Sequence, residues 1–312
     1  MATKEKAKKK PVVVEIKRIS WYDNRFYKIE YTEKIMVKQG KKEVETDMNV
    51  TTYFPSVTTK LNALSKPFLA RWRGDIGNRE ADIRLVESQE RGSRIHWAWE
   101  CYSQGGAVIY QHPRVPTYEV DEINEIYKRF NNQVIVLNRQ DEMHDIVKLQ
   151  AFMRIVKPEM LSCEELVYDI ETKDAGTADN FMRIAEGEYI INGKKPLKLP
   201  EGIYGIDLKT GKVVDKTARM QVAKYCDMKS KGDNVEIIGA LILHTQGKTR
   251  SGIVGLSTIY ITKDELAQEL ADYEDISRVW MRNFDTMQPT VRELPTLVAL
   301  PRKASNETNN PI

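Results

Sequence analysis

Residues 163 to 262 constrain the fold more than any other part of the chain. Four strand-like stretches come first, "CEELVYDI", "GTADNFMRIA", "EGEYIING" and "GIYGIDLK", separated by tight turns. One amphipathic helix follows, "KTARMQVAKYCDMKS", with Met220, Ala223 and Cys226 among its inward positions. Two more strand-like runs close the stretch, "VEIIGALILHT" and "GIVGLSTIYI". Strands are read from β-branched and aromatic residues bounded by turn formers, and the helix from its 3.6-residue period. Strands broken by a helix, with helical patterns on either side, predict an α/β (α+β) fold. A central mixed β-sheet would be flanked by helices.

The flanks are read the same way. Residues 11–54 predict a β-rich extension built from "VVVEIKRI", "RFYKIEY" and "KIMVKQGKKEVET", with a turn at Gln39-Gly40-Lys41. Pro55-Ser56 reads as a helix start with Ser56 as N-cap. A long helix is expected from Asn78 to Ser103, with Ile83, Val86, Ile95 and Trp99 apolar and Gly92 interrupting it. Residues 104–138 read as irregular. Another helix runs from Gln140 to Val156 and stops at Pro158, and a last one from Asp264 to Phe284. The domain reading is a basic tail (1–10), the extension (11–54), a main domain (55–285) and a loose C-terminal tail (286–312).

Composition narrows the function. The net charge is +3, so no global basic field marks a nucleic-acid binder, although "MATKEKAKKK" carries five lysines. That segment has no apolar stretch of a secretory leader. It reads as a solvated tail, with a phosphate-seeking arm as the alternative. No apolar run approaches the ~18 residues of a membrane span. Cys101, Cys163 and Cys226 are far apart and form no zinc or iron–sulfur pattern, which suits a reducing, cytoplasmic setting. There is no GxxxxGK[ST] loop, so no ATP use is expected.

The stretch "YGIDLKTGK" holds the first candidate site. Side chains two apart on a strand share a face, so Asp207 and Lys209 sit together while Ile206 and Leu208 face the other way. About seven acid-x-base triplets are expected by chance in a chain with 45 acids and 48 bases, so the triplet means little alone. Its neighbours carry the weight. Asp179 lies 28 residues earlier on the adjacent strand, after Gly176, which permits a close turn. His96 and Glu100 stand at i and i+4 on the long helix, as do Gln221 and Tyr225 on the helix after Lys209. Glu164 or Glu165 lies on the strand before Asp179. Clustered carboxylates bind Mg²⁺ through oxygen, and such a metal activates water and neutralises charge on a phosphoryl group.

"RGSRIH", "GTAD", "DLKTGK" and "QVAKY" occur in the order found in the PD-(D/E)XK nucleases. The chain resembles the RecB-like branch, which includes phage exonucleases and mitochondrial single-strand exonucleases. "YFPSVTTKLNALSKPFLARW" also resembles the segment preceding the helical histidine, and the likeness spans residues 53–228. The resemblance implies a restriction-endonuclease-like core. It also implies a Mg²⁺-dependent deoxyribonuclease, Mn²⁺ substituting, that acts on DNA with a free end in replication, repair or recombination. An endonuclease, or an inactive DNA-binding accessory protein, is the alternative.

Residue by residue, the resemblance makes Asp179 and Asp207 metal ligands, with the backbone carbonyl of Leu208. Lys209 would hold the attacking water, and His96 would complete the metal shell. Glu164 would be an auxiliary acid, with Glu165 competing. Gln221 and Tyr225 would shape the site. Ser56, Arg71, Arg73, Arg91 and Arg94 are candidate DNA contacts. Ala178 stands where the wider superfamily has proline, and "EGEYIINGKKPLKLPEG" lengthens the hairpin between the two aspartates. The chain lacks the four cysteines of iron–sulfur relatives. His112, His144 and His244 have no motif context and read as structural; Trp97 and Trp99 read as core.

Overall fold

A computed structural model describes residues 11–284, apart from 22–23, 40–41, 65, 192–194 and 249–253, together with Pro289. Both expected tails, 1–10 and 286–312, therefore lie outside the described residues but for Pro289. The turn at Gln39-Gly40-Lys41 is outside them at residues 40 and 41.

Three strands open the chain: β1 (Val12–Trp21), β2 (Asn24–Gln39) and β3 (Lys42–Pro55), paired antiparallel in that order. "RFYKIEY" and "KIMVKQ" belong to one 16-residue strand, because Thr32-Glu33 between them continues the alternation without a turn former. Next come α1 (Val57–Leu61), α2 (Pro67–Ile76) and α3 (Asn78–Ser103). The Ser56 side chain accepts from the Thr59 amide at 3.0 Å, which starts α1 as an N-cap should.

Gly92 does not interrupt α3, which runs unbroken past it. Ile95 and Trp99 are buried, but Ile83 and Val86 are about half exposed, as is Trp97. The expectation of Trp97 in the core is therefore corrected. The α3 residues that join the core of the sheet are Ile95, Ala98, Trp99 and Tyr102, all in its C-terminal half.

Residues 104–138 are not irregular. They form β4 (Ala107–Tyr110), α4 (Val120–Arg129) and β5 (Val134–Leu137), with β4 and β5 parallel. The overlooked signals are a Glu122 carboxylate reaching back to the Glu119 amide at 2.9 Å and an apolar stripe through Ile123, Ile126 and Tyr127. Four-residue strands are too short for period-two alternation to stand out.

Helix α5 (Gln140–Val156) ends at Lys157, which is left-handed at φ 49° just before Pro158. The main sheet then forms from β6 (Glu159–Asp169), β7 (Asp174–Ile184), β10 (Gly202–Lys209), β11 (Ile237–Lys248) and β12 (Val254–Thr262). Its order is β12-β11-β10-β7-β6, with β10 and β11 parallel and the other neighbours antiparallel. It is a mixed sheet in an α+β fold. The long hairpin carries its own small pair, β8 (Gly187–Tyr189) and β9 (Leu197–Leu199). Helix α6 (Thr217–Asp233) makes the parallel crossover from β10 to β11, and α7 (Lys263–Phe284) ends the described chain.

Both faces of the sheet are covered, and the alternation in β11 shows how. Ala240 and Ile242 pack with α1, α6 and α7, whereas Leu241 and Leu243 pack with α3 and α5. β10 is therefore an interior strand with near-continuous burial, as a parallel pair in a covered sheet requires. The N-terminal sheet leans on β7 through Tyr27, Ile29 and Phe54 around Ala175. The Tyr27 hydroxyl lies 3.0 Å from Thr177 Oγ1.

Candidate active site

The candidate residues gather where β7 and β10 part. Their ladder runs from Gly202↔Ile184 to Ile206↔Asn180 and stops there. Beyond it, the Leu208 amide turns to the Asp179 side chain and donates to Oδ2 at 2.6 Å. The end of β10 is thus joined to the middle of β7 by a carboxylate instead of a ladder bond.

The alternation of β7 breaks at the same place. Ala178 and Phe181 both pack in the α6 cluster although they are three apart. The two residues between them turn toward α3. Asn180 accepts from Trp99 Nε1 at 2.6 Å, and Asp179 Oδ1 lies 3.5 Å from His96 Nδ1. Across the ladder, Cys163 pairs with Asn180 and Glu165 with Ala178, so Glu164 stands opposite Asp179. Glu164 is left-handed at φ 47°, which costs a non-glycine residue about 1–2 kcal/mol. The twist sends neighbouring acids opposite ways. Glu164 Oε1 comes within 3.5 Å of His96 Nδ1, while Glu165 binds Lys229 at 2.6 and 2.8 Å. Glu164 therefore joins the cluster and Glu165 does not.

Asp207 is buried at 2% exposure, with Lys209 Nζ 2.8 Å from each of its carboxylate oxygens. The expected shared face of Asp207 and Lys209 is present, but on an interior strand. Lys209 also donates to Gln221 Oε1 at 3.3 Å, and Gln221 Nε2 to the Tyr225 hydroxyl at 3.2 Å. Gly176 does not make a turn. It lies within β7, paired with Val167, and a Cβ there would overlap the Tyr225 ring. Its role is close approach of α6 to the strand.

The electrostatics follow from this crowding. Burial pulls the His96 imidazole down, but Asp179 and Glu164 outweigh it and hold its pKa up at about 9. Burial pushes Asp207 up to about 6, against the pull of Lys209 and helped by the charge of Asp179. Lys209 is raised: burial disfavours its charge, but Asp207 and Asp179 outweigh that. Burial lifts the Tyr225 phenol, so it acts as a neutral hydroxyl.

His96, Glu164 and Asp179 each offer one ligand atom, all within 4.8 Å of one another. Asp207 stands outside that triplet, with its charge on Lys209. Three carboxylates and one imidazole form a predominantly hard-oxygen donor set, which fits Mg²⁺ and, with the nitrogen, Mn²⁺. His96, Glu164, Asp179 and Asp207 are the side chains able to hold such an ion.

Several candidates are placed elsewhere. Glu100 accepts from Gln104 at 3.4 Å on its own helix. Ser56 is 1% exposed and its hydroxyl is occupied in capping α1, so it offers nothing to DNA. Arg91 is bound to Asp141 and Asp145, Arg94 to Glu142 at 2.9 Å, and Arg73 to Asp82 at 2.8 Å. Arg71 is exposed on α2. His112 accepts from the amides of Arg114 and Val115, and His144 is exposed on α5. Asn180, buried and fixing Trp99 beside Asp179, was not among the candidates; a polar "DN" pair inside an otherwise apolar strand is the signal for it. Among the described residues no helix is long and apolar enough to cross a membrane.

A scan against protein-family models finds no match to this chain, and neither does a search of the curated proteins.

Proposed function

We propose that this protein is a divalent-metal-dependent deoxyribonuclease of the PD-(D/E)XK, RecB-like kind, hydrolysing phosphodiester bonds from a free DNA end in the cytoplasm. The observation that carries the reading is the acid excess. Glu164, Asp179 and Asp207 converge on a single lysine and a histidine. That is a site built to be completed by a cation, and its members fall in the order of the family's motifs.

A bound Mg²⁺ or Mn²⁺ would lower the pKa of a water and draw charge from the phosphoryl oxygens. The chain's own groups do the rest. Asp179 and Asp207, with the Leu208 carbonyl, Glu164 and His96, would hold the ion. Lys209 aims its ammonium at the attacking water and at the charge that develops on the phosphate. Gln221 limits where that ammonium can point, and Tyr225 fixes Gln221 from below.

End-labelled linear single-stranded, linear duplex and closed circular DNA, incubated with Mg²⁺ and sized over time, test the reading. Ladders shortening from one end are expected, best on the single strand, and the labelled end gives the polarity. Mn²⁺ should substitute and Ca²⁺ should inhibit. Cutting of the closed circle would make the protein an endonuclease. Full activity in excess EDTA, or no cleavage of any of the three, would remove the proposal.

A further inference from the structure

Lys209 is the last residue of β10, and its position is less secure than its neighbours suggest. The ladder to β7 has already ended at Ile206, so only β11 remains beside it, through the Lys209↔His244 pairing. The turn that follows must hold the lysine in place, and two side chains bind that turn. Arg91 Nη1 donates to the Thr210 carbonyl at 3.0 Å. His244 Nε2 lies 2.6 Å from the Gly211 carbonyl, so that nitrogen carries the proton.

Arg91 is itself held. Its Nε donates to Asp141 at 2.9 Å and its Nη2 to Asp145. Asp145 is fully buried and also accepts from Lys148 at 2.8 Å and from Gln246 at 3.0 Å. Lys148 in turn donates to the Thr245 carbonyl at 2.8 Å, beside His244. One polar hub thus ties α3, α5 and β11 to the turn after Lys209. Gly92, next to Arg91, completes the fit: a Cβ there would stand 3.2 Å from Thr210 Oγ1, tighter than an easy contact. The helix has a glycine where the turn presses on it.

We propose that Arg91 and Gly92 form a seat for the Thr210-Gly211 turn, which makes Arg91 a positioning residue for Lys209 and not a phosphate contact. The proposal rests on the nuclease reading for its catalytic consequence, but the seat itself is a structural claim that can be measured without activity. The two roles for Arg91 predict different kinetics. A phosphate contact acts on DNA affinity and on its salt dependence. A positioning residue acts on kcat, because a misplaced ammonium loses its aim at the reacting group.

The experiment uses the full chain with Arg91→Lys, Arg91→Gln and Gly92→Ala. Arg91→Lys keeps the charge facing Asp145 and loses the fork that also reaches Thr210. It should lower kcat by about tenfold with KM and the salt slope unchanged, and Arg91→Gln should lower kcat further. Gly92→Ala adds a good helix former in mid-helix, so its melting temperature should rise. Its kcat should nevertheless fall several-fold, a pairing that a general folding defect does not produce. Amide hydrogen exchange at Lys209 to Lys212 should quicken in both arginine variants while β11 stays protected.

A raised KM and a flattened salt slope at unchanged kcat would make Arg91 a phosphate contact and overturn the proposal. Unchanged exchange at Lys209 to Lys212 would overturn it as well. A wild-type protein that cuts no DNA would count against the nuclease reading alone, and the exchange data would still decide the seat.

Discussion

Two clusters of lysine and aspartate lie along β7, and they are built to opposite ends. The first surrounds Asp174 at the start of the strand. Lys60 Nζ is 2.5 Å from Asp174 Oδ1 and donates to Ser277 at 2.9 Å, and Tyr273 donates to the same carboxylate oxygen. Lys224 lies 3.5 Å from Asp174 and Asp169 and 3.1 Å from Asp227, and Lys231 joins the latter two. Three lysines meet three aspartates, and Lys60, Lys224 and Asp174 are essentially inaccessible. The second cluster, around Asp179, sets three carboxylates against Lys209 and an imidazole and stays partly open to solvent. The residue types are nearly the same. Balance makes the first a structural tie between α1, α6, α7 and β7; imbalance leaves the second with work for a cation.

The sharpest test of this contrast changes an aspartate to asparagine in each cluster. Asp179→Asn and Asp207→Asn should each cut DNA cleavage by at least about 10³-fold. The melting temperature of the Asp207→Asn protein without metal should hold or rise, since burial and the neighbouring Asp179 already disfavour the charge that is removed. Lys209→Ala should lose cleavage to a similar degree, and near-normal cutting by that variant would end the role assigned to it. Asp174→Asn should do the reverse. It strands the buried Lys60 with a neutral partner, which costs about 3–5 kcal/mol, while Lys224 keeps Asp169 and Asp227. Urea unfolding reads that loss directly. An Asp174→Asn protein of wild-type stability would erase the distinction between the clusters.

How far this was legible in the sequence differs between the two. Strands β6, β7, β8, β10, β11 and β12 and helices α3, α5, α6 and α7 announce themselves by period and by their stops, whereas β9 is too short to stand out within the hairpin insertion. The members of the second cluster are visible as "GTAD" and "DLK". Their grouping depends on features that parity hides. Strict alternation would put Asp179 on the face of Phe181, but the break between Ala178 and Phe181 turns it to His96. Glu164 and Glu165 are indistinguishable by composition, and the register against β7 and the left-handed backbone at Glu164 separate them. The first cluster has no signature in the linear sequence. Lys60 lies 114 residues before Asp174, Lys224 comes from a different helix again, and an amphipathic reading of α6 assigns its lysines to solvent. Arg91 reads as a candidate phosphate contact because an exposed arginine and one sealed against Asp145 look alike in one dimension.

The smallest expected effect comes from pH, and it separates the clusters by side. His96 has its folded pKa raised to about 9, against an ordinary value near 6.5. The metal-free protein therefore holds this stabilisation in full below about pH 6.5 and loses it as pH rises through about 9, by about 3 kcal/mol. Asp207, raised to about 6 by burial, also makes stability fall with rising pH, between its ordinary value near 4 and about 6. In the first cluster the sign is opposite. Burial alone would raise Asp169, but Lys224 and the amides of Thr172 and Glu171 outweigh it and hold its pKa low. Its contribution is present above about pH 4 and is lost as the solution turns acid. Chemical denaturation in EDTA across pH 3 to 9.5 should show both limbs. His96→Gln should flatten the alkaline limb alone, Asp207→Asn the fall between about pH 4 and 6, and Asp169→Asn the acid limb. If His96→Gln left the alkaline limb as steep as in the wild type, the imidazole would not be the cation that the carboxylates hold when the metal is gone.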